Sequence, residues 1–111
     1  MKTVKIGQKV YEVEVADTFF SRLKGLLGRD TLARDVALFI TPCNSIHTHF
    51  MKFPISVVFV DKKGIVKKVK HNVTPWKMVN AFDSYAVYEI NAEYVNENNL
   101  PKVGDKVEEV C

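Results

Sequence analysis

The chain has 111 residues, of which 47% are hydrophobic and 26% are charged. This length suits one compact domain and excludes a catalytic barrel or a doubly wound dinucleotide fold. The net charge of +3 is small for a protein that neutralises many phosphates. Its two cysteines are too few for a secreted disulfide scaffold, and no apolar run is long enough for a membrane span. We therefore expect a cytoplasmic protein, a monomer or weak dimer, with an exposed thiol at Cys111.

The first two strands are predicted to form a hairpin. The segments 3–6 and 9–15 favour β-structure, and Gly7-Gln8 suits a two-residue turn that begins with glycine. In the second segment apolar residues alternate with glutamates, which indicates one buried face. That face would contain Tyr11, Val13 and Val15.

An amphipathic helix is predicted near residues 18–27, because apolar residues there recur at spacings of three and four. Asp17 is the expected N-cap, and Gly28 is expected to end the helix in a left-handed conformation. The buried face would contain Phe19, Phe20, Leu23, Leu26 and Leu27.

Short strands separated by turns are predicted for the rest of the chain. The apolar segment 36–40 ends before Thr41-Pro42, and the segment 55–61 is apolar on both faces, as expected for a central strand. Residues 61–64 have the sequence of a type I turn that leads into a strand over 65–69. The remaining predicted elements are a strand over 86–92, a helical turn over 93–98 and a short last strand within 101–110.

These elements together predict a mainly β (α+β) fold. The short strands suit a small curled antiparallel sheet or barrel, with the single amphipathic helix near residues 18–27 flanking or plugging an open end. Since no repeat, low-complexity tract or linker interrupts the sequence, we expect one domain over residues 1–111.

The segment from Pro42 to Pro54 has the highest density of chemically versatile side chains. In an extended chain His47 and His49 point to the same face, and Cys43 could join them as a third zinc ligand. Alternatively, either histidine could activate Cys43 as the nucleophile of a hydrolase. Both readings compete with a simpler one, in which the histidines lie half-exposed at a sheet edge and Cys43 is a small buried thiol.

Two further regions carry charged candidates. The lysine-rich hairpin over 62–70 could bind single-stranded nucleic acid together with nearby aromatic residues. Because it contains no arginine and edge lysines commonly prevent aggregation, we favour a solvated edge. Asp61 is explained by its turn, whereas Glu89 lies inside a predicted strand, where a glutamate is costly if it faces the core.

Several motifs together resemble the DUF192 (UPF0127) family. They are Arg22-x-x-Gly25-Leu26-Leu27-Gly28-Arg29, the run from Cys43 to Ile55, Val57-x-Phe59-x-Asp61-x-x-Gly64, Val87-Tyr88-Glu89-Ile90 and Gly104-Asp105. The resemblance implies a small, mostly antiparallel β domain with a helix near its start, and implies little about function. The chain departs from the family pattern at Leu27, Ser56 and Glu93, where methionine, aspartate and glycine are usual.

The polar motif residues lie near the ends of predicted elements, where strand termini can converge on one groove. We expect this groove to centre on Arg29, His47 and Thr48 and to bind a small molecule, peptide or protein without a cofactor. A binding module is thus expected in preference to an enzyme. The residues predicted to line the groove are Arg29, Cys43, His47, Thr48, His49, Asp61 and Glu89.

Overall fold

A curled seven-stranded sheet that forms a half-barrel dominates the computed structural model, which describes residues 2–110. Cys111, expected to carry an exposed thiol, lies outside the described residues. The elements are β1 (Thr3–Ile6), β2 (Lys9–Ala16), α1 (Phe19–Lys24), β3 (Val36–Ile40), β4 (Ser45–His47), β5 (Ile55–Val60), β6 (Val66–Val73), β7 (Met78–Asn80), β8 (Ala86–Asn91), β9 (Glu108–Glu109) and single 3-10 turns at Ala92–Tyr94 and Glu97–Asn99.

The sheet has the strand order β6-β5-β8-β3-β2-β1-β9, and β4 and β7 form a separate antiparallel pair. All neighbours in the large sheet are antiparallel except β2 and β3, which are parallel. The expected curled, mostly antiparallel sheet is therefore confirmed, with this one parallel pair as the exception. A parallel pair requires a crossover connection, which residues 17–35, including α1, provide.

The two ends of the sheet approach each other and give it its half-barrel shape. Ile65, just before β6, bridges to Lys106, just before β9. The Val66 N–H donates to the Asp105 carbonyl at 2.8 Å, and the Val107 N–H donates to the Gly64 carbonyl at 2.9 Å. The glycine-containing turns predicted at 61–64 and around 104–105 thus lie side by side and join the sheet ends. No helix within residues 2–110 has the length and apolar character needed to cross a membrane.

Strands β5 and β8 separate two apolar cores, and every residue of both strands is buried. The predicted central strand over 55–61 is thereby confirmed as a strand apolar on both faces. Because successive side chains of a strand alternate between faces, Val57 and Val87 belong to the core beside α1, whereas Val58 and Tyr88 belong to the opposite core. Glu89 is two residues after Val87, so its side chain faces the core beside α1.

Helix α1 is shorter than predicted and does not bury its apolar residues. Thr18, and not Asp17, is the N-cap, with its hydroxyl accepting from the Ser21 N–H at 3.1 Å. Gly25 has a φ of 49° and ends the helix before Leu26, where Gly28 was expected to do so. Beyond this glycine the chain turns Leu26 into the core and leaves Leu27 partly buried, while the expected helical face stays in solvent: Phe19, Phe20 and Leu23 are 65%, 79% and 63% exposed.

The prediction for the buried face of β2 is correct for Tyr11 and Val13 and wrong for Val15, which is 49% exposed. Tyr11 and Val13 contribute to the core opposite α1. The alternation of buried and exposed side chains ends before Ala16, which is buried in the core beside α1. The predicted hairpins β1–β2 and β5–β6 both form.

Gly7 provides a test of the first hairpin. It has a φ of 62°, and a Cβ at this position would overlap the backbone carbonyl oxygen of Asn99. Gly28 also has a positive φ, 82°, but a Cβ there meets no atom within 4 Å. We expect Gly28→Ala to lower the free energy of unfolding by about 1 kcal/mol through backbone strain alone, and Gly7→Ala by about 3 kcal/mol, since overpacking adds to the strain. If urea denaturation shows the same loss in the free energy of unfolding for both variants, the close contact of Gly7 with the Asn99 carbonyl is contradicted.

Candidate functional site

A cleft of about 200 Å³ lies between the loop that follows α1, the segment around β4 and the middle of β8. We call it the Glu89 cleft, because Glu89 is its one carboxylate. Most of its wall is apolar. The lining residues are Arg22, Leu23, Lys24, Gly25, Leu26, Leu27, Ile40, Cys43, Ser45, Ile46, His47, Met51 and Glu89.

Glu89 occupies the floor of the cleft, and its burial follows from the strand register. It pairs with Leu38 of β3 on one side and with Val57 of β5 on the other, and both neighbours are buried in the core beside α1. Glu89 is only 4% exposed, and its carboxylate accepts no hydrogen bond from any residue within 2–110. Because no buried side-chain oxygen among these residues lacks a partner, the carboxylate oxygens open onto the cleft. Burial raises the pKa of this carboxyl to about 7, since removal from water disfavours the charged form.

The Cys43 thiol lies in the electrostatic field of two opposite charges at the cleft. Its Sγ donates to the Ser45 carbonyl at 3.2 Å. Burial raises the pKa of the thiol, the Ser45 hydrogen bond opposes that shift, and smaller effects come from Glu89, which raises the pKa, and from Arg22, which lowers it. Because the thiolate is the nucleophilic form, Cys43 is a neutral and unactivated thiol near neutral pH.

Arg22 forms one wall of the cleft and is held by backbone acceptors. Its Nε donates to the Thr18 carbonyl at 3.3 Å, and its Nη1 donates to the Pro42 carbonyl at 3.1 Å. These bonds tie α1 to the loop that precedes β4. The guanidinium is therefore engaged with the chain and makes no hydrogen bond to Glu89.

His47 and His49 lie side by side, as their spacing predicts, but they belong to an aromatic row that leads away from the cleft. Their ring centroids are 4.9 Å apart, and the His49 ring stacks on Trp76 at 5.4 Å. The Phe50 ring packs against Trp76 in an edge-on arrangement, with the ring centroids 4.6 Å apart. Of these four residues only His47 lines the cleft.

Thr48 is fully buried and positions this aromatic row without reaching the cleft surface. Its hydroxyl donates to the Thr74 carbonyl at 2.7 Å and accepts from the Lys77 N–H at 2.9 Å. Its carbonyl accepts from the Trp76 N–H at 3.1 Å. These bonds join the turn after β4 to the turn before β7, so the role of Thr48 in the described chain is structural.

Arg29 and Asp61, which were predicted to line the same groove, lie outside the cleft. Arg29 forms a two-point ion pair with Glu14 of β2. Asp61 accepts hydrogen bonds from the N–H groups of Ile65, at 3.0 Å, and Lys63, at 2.9 Å. These bonds, the one from Ile65 first, lower the pKa of the Asp61 carboxyl and account for it as a turn residue.

The three candidate metal ligands do not converge in the part of the chain that the structure describes. Among residues 2–110, no group of three or more His, Cys, Asp or Glu side chains is placed to hold a metal ion. Cys43 donates to the Ser45 carbonyl, the His47 ring lies against that of His49, and the His49 ring stacks on Trp76.

Two lysines of the 62–70 hairpin engage separate partners. The ammonium of Lys62 lies 4.8 Å from the centroid of the Tyr85 ring, and Lys68 donates to the Asn80 carbonyl at 2.7 Å. Because side chains alternate along β6, Lys67 and Lys68 point to opposite sides of the strand. The cluster in the sequence is thus divided in the fold.

A larger depression, of about 720 Å³, lies between the β1–β2 turn and residues 97–105. It is a broad surface hollow, and its titratable residues all retain access to solvent. One of them, His71, also bonds through Nδ1 to the Oγ of the buried Ser56 at 2.7 Å. Ser56, where the family usually has aspartate, is therefore a structural partner of His71 and lies outside the Glu89 cleft.

Sequence reasoning identified three residues of the cleft, Cys43, His47 and Glu89, and missed the wall that follows α1. The apolar periodicity predicts a helical core face that includes Leu26 and Leu27, because it continues past Gly25, where the helix ends. A glutamate in the middle of an otherwise apolar strand was the strongest signal of the site.

The comparisons with known proteins place the chain in a family and identify its fold relatives. The family model DUF192, described as an uncharacterised group, matches residues 2–109. A protein of unknown function from Novosphingobium aromaticivorans has 26% identity and a TM-score of 0.81, with coverage of 96% of this chain and 82% of that one. A putative transcription regulator from Sinorhizobium meliloti has 19% identity and a TM-score of 0.84, with coverage of 97% and 92%, and supports the fold alone. No protein of curated function matches the chain.

The buried carboxyl predicts an unusual pH dependence of stability. The pKa of Glu89 is about 7 in the folded state against 4.5 for an ordinary glutamate, so between these values the folded state binds more protons than the unfolded state. The free energy of unfolding must then fall as pH rises through this window, by roughly 3 kcal/mol in total. Glu89→Gln removes this loss, whereas Glu12→Gln, at an exposed position on β2, retains it. Urea denaturation between about pH 4.5 and 8 measures the difference between the variants, and parallel profiles for wild type and Glu89→Gln would contradict the placement of this carboxyl.

Proposed function

The chain belongs to the DUF192 family, and we propose that it is a binding module that holds a small molecule, or one side chain of a peptide or protein, in the Glu89 cleft. The observation that carries this proposal is Glu89, which is 4% exposed, lines the cleft and makes no side-chain hydrogen bond to another described residue. A perturbed titratable group in a cleft is a recognised mark of a functional site.

The energetics of Glu89 favour an external partner. No side-chain oxygen or nitrogen among the described residues is both buried and without a partner, so the Glu89 oxygens reach the surface of the cleft although the residue is only 4% exposed. Electrostatic interactions and hydrogen bonds are stronger in such a largely apolar environment than in bulk water. A ligand that hydrogen-bonds to the Glu89 carboxyl in the cleft therefore gains more free energy than it would at an exposed glutamate.

The surroundings of the cleft extend the area that a ligand can cover. A shallow apolar depression adjoins it and shares Arg22, Leu23 and Cys43 with its wall. This depression also includes Phe19, which is exposed in the described chain. Exposed apolar surface next to a cleft is typical of a binding site. We therefore expect the exposed apolar face of α1 to contact the part of a ligand that extends out of the cleft.

Binding is favoured over hydrolysis by the contacts of the thiol. A cysteine hydrolase needs an imidazole that accepts the thiol proton, but Cys43 donates to the Ser45 carbonyl. The pKa of Cys43 is raised by burial, with no lowering effect from His47 or His49. The zinc-dependent alternative lacks a converging set of three ligands within residues 2–110.

The proposal is tested by NMR titration of the 15N-labelled protein with small probes of about six non-hydrogen atoms, including n-butanol, butyrate and n-butylammonium. Probes of this size bind a matching cleft with dissociation constants on the order of 1–10 mM. We expect the largest shift changes at the amides of Gly25, Cys43, His47 and Glu89, which surround the cleft.

Two variants make the titration specific. Leu27→Trp fills the cleft from its wall and should abolish the shift changes, whereas Val103→Trp, at an exposed site outside the cleft, should retain them. The proposal fails if none of the probes shifts the cleft amides, or if Leu27→Trp binds them as the wild type does.

A further inference from the structure

We infer that the group bound by Glu89 is a primary ammonium on an apolar stem, an inference that rests on the proposed function of the cleft. The carboxylate lies at the floor of an apolar cleft, and none of the cations near it on the described chain forms a bond to it. The ligand class is thus an alkylamine, either free or as the side chain of a lysine.

The charged and titratable groups that face Glu89 are each accounted for without a bond to it. Arg22 donates to the carbonyls of Thr18 and Pro42, and Cys43 donates to that of Ser45. Lys24 and His47 line the wall, are exposed residues and make no hydrogen bond to Glu89. Within the described chain, the Glu89 carboxylate therefore has no positively charged partner inside the cleft.

An ammonium matches this gap better than the other small polar groups. It presents three donors to an acceptor-only carboxylate, and hydrogen bonds between ions of opposite charge are about twice as strong as neutral ones. A ligand carboxylate would meet a like charge at the floor of the cleft. A neutral hydroxyl offers one donor and leaves the negative charge of Glu89 uncompensated.

The stem of the ligand is specified by the cleft wall. Leu23, Leu26 and Leu27 form one side and Ile46 and Met51 contribute to the other, so an alkyl chain extending from Glu89 contacts apolar side chains along its length. Burial of each methylene contributes about 0.8 kcal/mol in an apolar site. A chain of about four carbons, as in n-butylammonium or a lysine side chain, suits a cleft of about 200 Å³.

Pairing with an ammonium also sets the pH dependence of binding. Glu89 must be ionised to form the pair, and its free pKa is about 7, so below this pH binding releases a proton. The affinity for n-butylammonium should rise about tenfold per pH unit up to about pH 7 and level off above it. Cys43 stays protonated through this range because burial raises its pKa. Because His47 lines the cleft, His47→Gln is expected to change the affinity itself. The rise in affinity up to about pH 7 should nevertheless remain in this variant, which would assign the pH dependence to Glu89 and not to the imidazole.

The experiment compares n-butylammonium, n-butanol and butyrate by NMR titration at about pH 7.5 and 5.5. We expect n-butylammonium to bind at least tenfold more tightly than either of the others at the higher pH. Glu89→Gln should abolish this preference, whereas Glu93→Gln, at an exposed site just after β8, should retain it. An acetyl-Gly-Lys-Gly-amide peptide distinguishes the two sources: tighter binding than n-butylammonium identifies a lysine side chain as the ligand, and weaker binding identifies a free amine.

Each outcome bears on a defined claim. If n-butanol or butyrate binds the cleft as tightly as n-butylammonium, the ammonium inference is overturned while the proposed binding function stands. If no probe binds at the cleft amides, both are overturned. Should Glu89→Gln fail to fold, the pH profile of the wild-type protein decides, since an affinity for n-butylammonium that does not change between pH 5.5 and 7.5 contradicts the inference.

Discussion

The pairing of β8 with both β3 and β5 fixes the position of Glu89 between Leu38 and Val57. A strand with neighbours on both sides cannot rotate its side chains to the other face without losing its register. The carboxyl is therefore held against the core beside α1, where burial raises its pKa to about 7. The cleft, its chemistry and its proposed ligand all depend on this constraint.

The walls of the cleft come from segments that the sheet does not itself position. Gly25 ends α1 and turns the following residues toward the core, while the bonds of Arg22 to Thr18 and Pro42 join the helix to the loop before β4. On the other side, Thr48 joins the turns around β4 and β7. Local hydrogen bonds thus build an accessible site around a rigid strand.

Much of the sheet could be predicted because its local signals agree with its packing. The β5–β6 hairpin combines an apolar strand with Asp61 and Gly64 at the positions that a type I turn favours. The predicted helix is too long because the apolar periodicity continues past Gly25, whereas the chain conformation changes at this glycine. The parallel β2–β3 pair and the wall after α1 depend on the crossover between distant segments, for which no local pattern exists. The position of Glu89 within an apolar strand indicates a candidate functional residue from the sequence alone. The residues that surround it in the cleft could not be predicted in this way.

The most direct test of this account is a titration of the Glu89 side-chain carboxyl, followed by the 13Cδ chemical shift in the free protein. Glu89→Gln identifies the resonance by its disappearance. The account predicts a midpoint near 7, as burial without a hydrogen-bond partner requires. A midpoint near the ordinary glutamate value of 4.5 would mean that the carboxyl is solvated or already paired, and would contradict the account.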